Sequence, residues 1–178
     1  MSTYIAFLRA VNVGKRAYPM AELRAMLAGA GYEDAETHIQ TGNVLVSSPL
    51  RSRAKLEAAL EKLFLADRGW EVPTIVFTPV ELATVLADAD EIAAKKQPEY
   101  GHYVSLLRDE PTAAGRKVIE GAATDKERVV VRGRAVHLLY DIPFHEAKSS
   151  NAAVEKAIGV ATNRNLKVIR KLVEKWCD

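Results

Sequence analysis

Two short stretches hold the polar groups whose types and spacing suit chemistry. "LRAVNVGKR" carries Arg9, Asn12, Gly14 and Lys15, and "QTGN" carries Gln40 and Asn43 about thirty residues later. Two cations and three amides form a donor set for an anion, because charge-assisted bonds to guanidinium and ammonium groups are the strong ones. Gly14 lets the backbone approach a bound group without a Cβ in the way. Neither G-x-x-x-x-G-K-[ST] nor G-x-G-x-x-G occurs, so the pattern is not a nucleotide loop of either standard type.

The other reactive residue types are poorly arranged for catalysis. His38, His102, His137 and His145 lack metal-ligand spacing with each other or with Cys177, and H-E-x-x-H is absent. No metal or cofactor is therefore expected. There is no G-x-S-x-G elbow, and Ser149-Ser150-Asn151 reads more simply as a helix N-cap. Cys177, the one cysteine, has no partner for a disulfide. Carboxylates are scattered along helix faces, and no acid/base pair stands out. No catalytic residue is assigned.

The elements that must position the donor set follow from periodicity. Residues 3–10 read as an apolar strand ended by Asn12-Val13-Gly14. Pro19 suits the first turn of a helix. That helix buries Leu23, Met26, Leu27 and Ala30 at i, i+3, i+4 and i+7. Two short strands flank Thr41-Gly42-Asn43 as a hairpin. Ser48-Pro49 starts a second helix, with Leu56, Ala59, Leu60, Leu63 and Phe64 on one face, and "EVPTIVFT" is a fourth strand. The order strand, helix, strand, strand, helix, strand is the ferredoxin-like unit. It brings the loop after the first strand and the hairpin to one end of the sheet.

Thr78-Pro79-Val80-Glu81 has capping-box spacing and predicts a connecting helix to about Asp90. After the polar stretch "KKQPEYG", the strand "YVSLLR" (103–108) aligns with "YIAFLR" (4–9), and a helix and a hairpin around Gly133 follow. The next helix, "NAAVEKAIG", is expected to lead directly into a last helix. The fold expected is thus α+β: two ferredoxin-like (βαββαβ-type) subdomains from an incomplete internal duplication, plus a C-terminal helix. Their bounds are 1–90, with the connecting helix, and 102–178. In the last helix Leu166, Ile169, Leu172, Val173 and Trp176 share a side that should dock, while Arg164, Lys167, Lys171 and Lys175 share the other. With Thr162 as N-cap, Arg164 and Asn165 fall in the first turn. A cation there opposes the helix dipole and calls for an anionic or hydrogen-bonding neighbour.

The net charge is only +2, so no strong field for nucleic acid or a membrane surface is implied. No apolar run approaches the roughly 20 residues of a membrane span. The N-terminus lacks the basic and apolar regions of an export signal, so a cytoplasmic location is expected.

"LRAVNVGKRAYPMAELRAMLAGAGYEDAETHIQTGNVLVSS" resembles the opening of the DUF1697 family, bacterial proteins of unknown function. The resemblance carries onto Arg9, Asn12, Val13, Gly14, Pro19, Met20, Leu23, Gln40, Gly42 and Asn43. Ala10 and Val11 stand where the family pattern has glycine and isoleucine. In "TNRNLKVIRKL", Thr162, Arg164, Asn165 and Leu172 match a second family pattern, while Leu166, Lys167 and Val168 replace its Trp, Asn and Thr. The resemblance implies a two-part α+β fold and brings no activity.

Two functions are weighed. The favoured one is binding of a small anionic, phosphate- or nucleotide-like ligand by Arg9, Asn12, Gly14, Lys15, Gln40 and Asn43, with Arg164 and Asn165 as added candidates. The alternative is a non-catalytic RNA- or protein-binding module. An RNA-binding sheet of this kind exposes aromatics on an open face, whereas the first strand is apolar on both sides.

Overall fold

The computed structural model describes residues 1–177, which divide into two compact units, Met1–Pro79 and the chain from Val80 onward. The first unit runs β1 (Ser2–Leu8), α1 (Met20–Gly29), β2 (Glu36–His38), β3 (Asn43–Ser48), α2 (Arg53–Arg68) and β4 (Thr74–Phe77). Its strands form an antiparallel sheet in the order β2-β3-β1-β4. Tyr4, Ala6 and Leu8 lie on one side of β1 and pack with Leu23 and Leu27 of α1 and with Leu56, Leu60 and Phe64 of α2. Burying each such aliphatic or aromatic side chain contributes about 1.5–3 kcal/mol, so this layer dominates the unit's stability. Sheet edges are a liability when their N–H groups lack acceptors. At the edge strand β4, Glu57 accepts from Val76 N at 2.9 Å and Glu61 from Thr74 N at 2.8 Å.

The second unit contains α3 (Pro79–Lys95), β5 (Gly101–Leu107), α4 (Ala113–Glu120), β6 (Glu127–Arg132), β7 (Ala135–Tyr140), α5 (Asn151–Ile158), β8 (Ala161–Asn165) and α6 (Leu166–Trp176). Its antiparallel sheet has the order β6-β7-β5-β8. The connecting helix α3 runs beyond the expected Asp90, and it forms ion pairs within this unit: Glu81 with Arg134, Asp88 and Glu91 with Arg132, and Asp90 with Arg170. Leu107, Val131, Val136, Leu138 and Tyr140 pack with Ile119 of α4 and Val154 of α5 on one face. A Cβ on Gly115 would stand 2.5 Å from the carbonyl oxygen of Ala157, so glycine lets α4 approach α5. The fold is therefore α+β, with two four-stranded antiparallel sheets and six α-helices among the described residues.

Three local expectations are corrected. Pro19 is the N-cap of α1 rather than part of its first turn, and α2 starts after Ser52, whose hydroxyl accepts from Lys55 N, not at Ser48-Pro49. More consequentially, α5 is followed by a closing strand, β8, so the second unit has the full complement of strands. Thr162 therefore does not cap the last helix. Asn165 does, with its side-chain oxygen accepting from Lys167 N at 2.9 Å. Arg164 sits in β8 opposite Val104 instead of in a first helical turn. The strand forms because β5 offers an open edge, a tertiary cause that outweighs the weak strand preference of Asn163 and Asn165. As expected, α6 docks: Ile169, Leu172 and Trp176 are buried and Leu166 and Val173 half-buried. No described helix is long and apolar enough to cross a membrane.

Candidate functional site

The first sheet brings the two N-terminal stretches together. Phe7 pairs with Asn43 across β1 and β3, and Leu8 N donates to Gly42 O at 2.8 Å just beyond. Gly42 has φ +78°, and a Cβ there would lie 2.7 Å from both Leu8 Cβ and Val11 Cγ2. The turn thus needs glycine for its backbone and again for the close approach of the loop.

Asn12 makes the join. Its Nδ2 donates to Gln40 O at 2.6 Å and to Tyr18 O at 3.0 Å, and its Oδ1 accepts from Tyr18 N at 2.7 Å. Tyr18 in turn is buried, with its hydroxyl donating to Asp67 at 2.8 Å and its ring 4.1 Å beneath the Arg68 guanidinium. Burial, followed by the Asp67 contact, holds that phenol well above its usual pKa, so it remains a donor at any ordinary pH. Asn43 is fully buried, and its Nδ2 donates to His38 O and Thr41 Oγ1, both at 3.0 Å. Both amides therefore spend these donors on the fold. That is a structural role which residue types alone do not reveal.

Exposed cations and backbone remain at the surface. Lys15 and Arg16 are exposed and Arg9 is half-buried. Arg16 lies 5.4 Å over the Trp70 ring, and Arg9 N donates to Pro73 O at 2.9 Å. Lys15 makes no ion pair among the described residues. The loop backbone alternates in hand: Ala10, Asn12 and Gly14 have φ of 57°, 55° and 60°, with Val11 and Val13 between them outside the positive region. The loop closes on its own backbone, with Asn12 N donating to Arg16 O at 2.7 Å and Arg16 N to Val13 O at 3.2 Å, and it leaves Gly14 and Lys15 at an exposed tip. Positive φ at two non-glycine residues is also a cost, met here by the Asn12 bonds at one of them.

Arg164 and Asn165 lie in the second unit. Arg164 is buried, donating to Thr162 Oγ1 at 2.9 Å and to Asn163 O at 2.7 Å. Burial pushes its guanidinium down to about 10, still cationic at neutral pH. Asn165 lines a cavity of about 400 Å³ together with His102, Lys167 and Arg170. Sequence reasoning missed this cavity, because it forms where residues 97–102 meet the start of α6. The missed strand β8 makes that meeting. Across the first sheet, Tyr4, Ile5, Ala6, Phe7 and Leu8 are all buried, so β1 exposes no aromatic platform for RNA bases. Among the described residues no group of three or more His, Cys, Asp or Glu side chains is placed to hold a metal ion.

A family model described as "Protein of unknown function (DUF1697)" matches residues 1–137. The fold is similar to that of the conserved bacterial protein SP0830 from Streptococcus pneumoniae, with a TM-score of 0.73 and 19% sequence identity over 100% of this chain and 99% of that one. No curated protein matches.

Proposed function

The chain belongs to the DUF1697 family, and from the geometry of its first loop we propose that it binds a small anionic, phosphate-bearing ligand at the end of β1. The observation that carries this reading is the exposed turn at 13–16, closed by Arg16 N donating to Val13 O at 3.2 Å, which sets Gly14 and Lys15 at its tip with Arg9 and Arg16 on either side in sequence. Asn12, Gln40, Gly42 and Asn43 serve by holding the loop against the hairpin, and Gly14, Lys15 and Arg9 face the ligand. Helix α1 begins shortly after, where the dipole favours negative charge. The test is a thermal-shift screen of inorganic phosphate and mononucleotides, followed by calorimetry of Arg9→Ala and Lys15→Ala. A charge-assisted bond is worth roughly 1.5–3 kcal/mol, so each variant should weaken the ligand by about ten-fold or more. Wild-type affinity in both would sink the reading.

We also infer that both units are ferredoxin-like and arose by duplication. Supporting this are the matching orders β2-β3-β1-β4 and β6-β7-β5-β8 and the central place of "YIAFLR" and "YVSLLR" in them. Superposition of β1–β4 on β5–β8 in a crystal structure checks it, and different helix placement over the two sheets would argue against it.

A further inference from the structure

The turn at 13–16 has an aromatic neighbour. Trp70 follows Gly69, the C-cap of α2, and its ring is half-buried against the core of the first unit. It stands edge to face with the Tyr18 ring, 6.2 Å between centroids. The Arg16 guanidinium lies over it, 5.4 Å from its centroid. The chain just beyond the ring stays beside the loop, since Arg9 N donates to Pro73 O at 2.9 Å.

The two neighbours of the indole differ in kind. Tyr18 is buried, with its hydroxyl held by Asp67 and its ring covered by Arg68. Arg16 is exposed, and its guanidinium has no hydrogen bond or ion pair among the described residues. Asp67 and Glu22 are both paired with Arg68, which leaves Lys15 and Arg16 outnumbering the exposed Glu71. A guanidinium without an acceptor has its full set of donors to offer. It also presents a flat face, as the indole does, and planar heterocycles stack on both.

Resting on the anion reading of the turn, we propose that the ligand is an aromatic phosphate ester of the nucleotide kind. Its phosphate sits at Gly14 and Lys15, and its base stacks on Trp70 with the Arg16 guanidinium lifted to cover the other side. Arg16 is the movable cover because only its contact with the ring holds it. One arginine side chain spans the gap from turn to ring, comparable to the ribose that separates a phosphate from its base. Trp70 and Arg16 are thus specificity residues, and a ligand without a planar group leaves the indole unused.

The experiment titrates the full chain with AMP and with ribose 5-phosphate, which carries the phosphate and the sugar without the base. The Gly14 and Lys15 amides and the Trp70 indole N–H are followed by NMR. Both ligands should shift the two amides saturably, but only AMP should shift the indole, and AMP should bind about ten-fold tighter. Trp70→Leu keeps an apolar side chain on the core and removes the stacking surface. It should bring AMP to the affinity of ribose 5-phosphate and leave the latter unchanged, while Trp70→Phe should retain most of the difference. If the amides move but AMP binds no tighter than ribose 5-phosphate, or leaves the indole still, this inference is overturned and the anion site stands. If neither ligand moves the amides, the anion site is overturned as well.

Discussion

Asn12 reaches across twenty-eight residues of sequence to donate to the carbonyl of Gln40 at 2.6 Å, tying the loop after β1 to the β2–β3 hairpin. The same side chain closes the loop on itself through Tyr18. Asn12→Ala removes all three bonds and keeps a positive φ without the residue type that tolerates it. It is expected to cost about 1–3 kcal/mol, read as a lower urea midpoint. Asn12→Gly relieves the backbone but not the lost bonds, so it should fall between the two. A glycine variant as stable as wild type would show that the bonds contribute nothing.

The two glycines with similar φ should respond differently to alanine. Gly42 at +78° has Leu8 and Val11 within 2.7 Å of a new Cβ, whereas Gly69 at +75° has nothing within 4 Å. Gly69→Ala should cost about 1 kcal/mol, the price of a left-handed alanine. Gly42→Ala adds overpacking of roughly 1–3 kcal/mol. Equal losses in melting temperature would contradict the close approach of loop and hairpin.

On α6, Leu172 is fully buried and Lys171 exposed. Leu172→Ala should lower stability by about 2–5 kcal/mol, and Lys171→Ala by no more than about 0.5 kcal/mol. Chemical denaturation of the two variants decides it, and similar midpoints would mean that the helix does not contribute to the core.

The paired imidazoles give the protein a pH dependence of known sign. Burial, aided by the charge of Arg128, lowers His102 from 6.5 to about 4. Burial, aided by His102 and Arg132, lowers His137 to about 3. In the unfolded chain both take up protons as the pH falls through about 6.5. The unfolded state then binds more protons, so stability is complete above that pH and declines below it toward the folded values. Urea midpoints should drop between about pH 7 and about pH 5, with both imidazoles still neutral in the folded protein. Titration of either near its ordinary value would refute the burial argument.

The convergence of "LRAVNVGKR" with "QTGN" was legible because strand–helix–strand–strand order dictates which ends meet. The roles of the amides were not. Asn12 and Asn43 have the same donors whether they face a ligand or a carbonyl, and only the positive φ at Asn12 and the burial of Asn43 separate the cases. Strand β8 was hidden for a different reason. "ATNRN" has little strand propensity, and the strong helical stripe from Leu166 to Trp176 makes Thr162 look like its cap. One signal did point to β8: if "YVSLLR" repeats "YIAFLR", a counterpart of β4 must follow α5. Taking the repeat literally would have placed Arg164 in a strand and Asn165 at the start of α6.

The loop's capacity for anions is tested most directly by the amide resonances of residues 10–16 during titration with inorganic phosphate, in the wild type and in Lys15→Ala. Saturable shifts at Gly14 and Lys15 are expected in the wild type, weakened about ten-fold in the variant with the spectrum otherwise unchanged. Resonances that stay fixed, or that move identically in the two proteins, would contradict an anion site and leave the loop as a connection between β1 and α1.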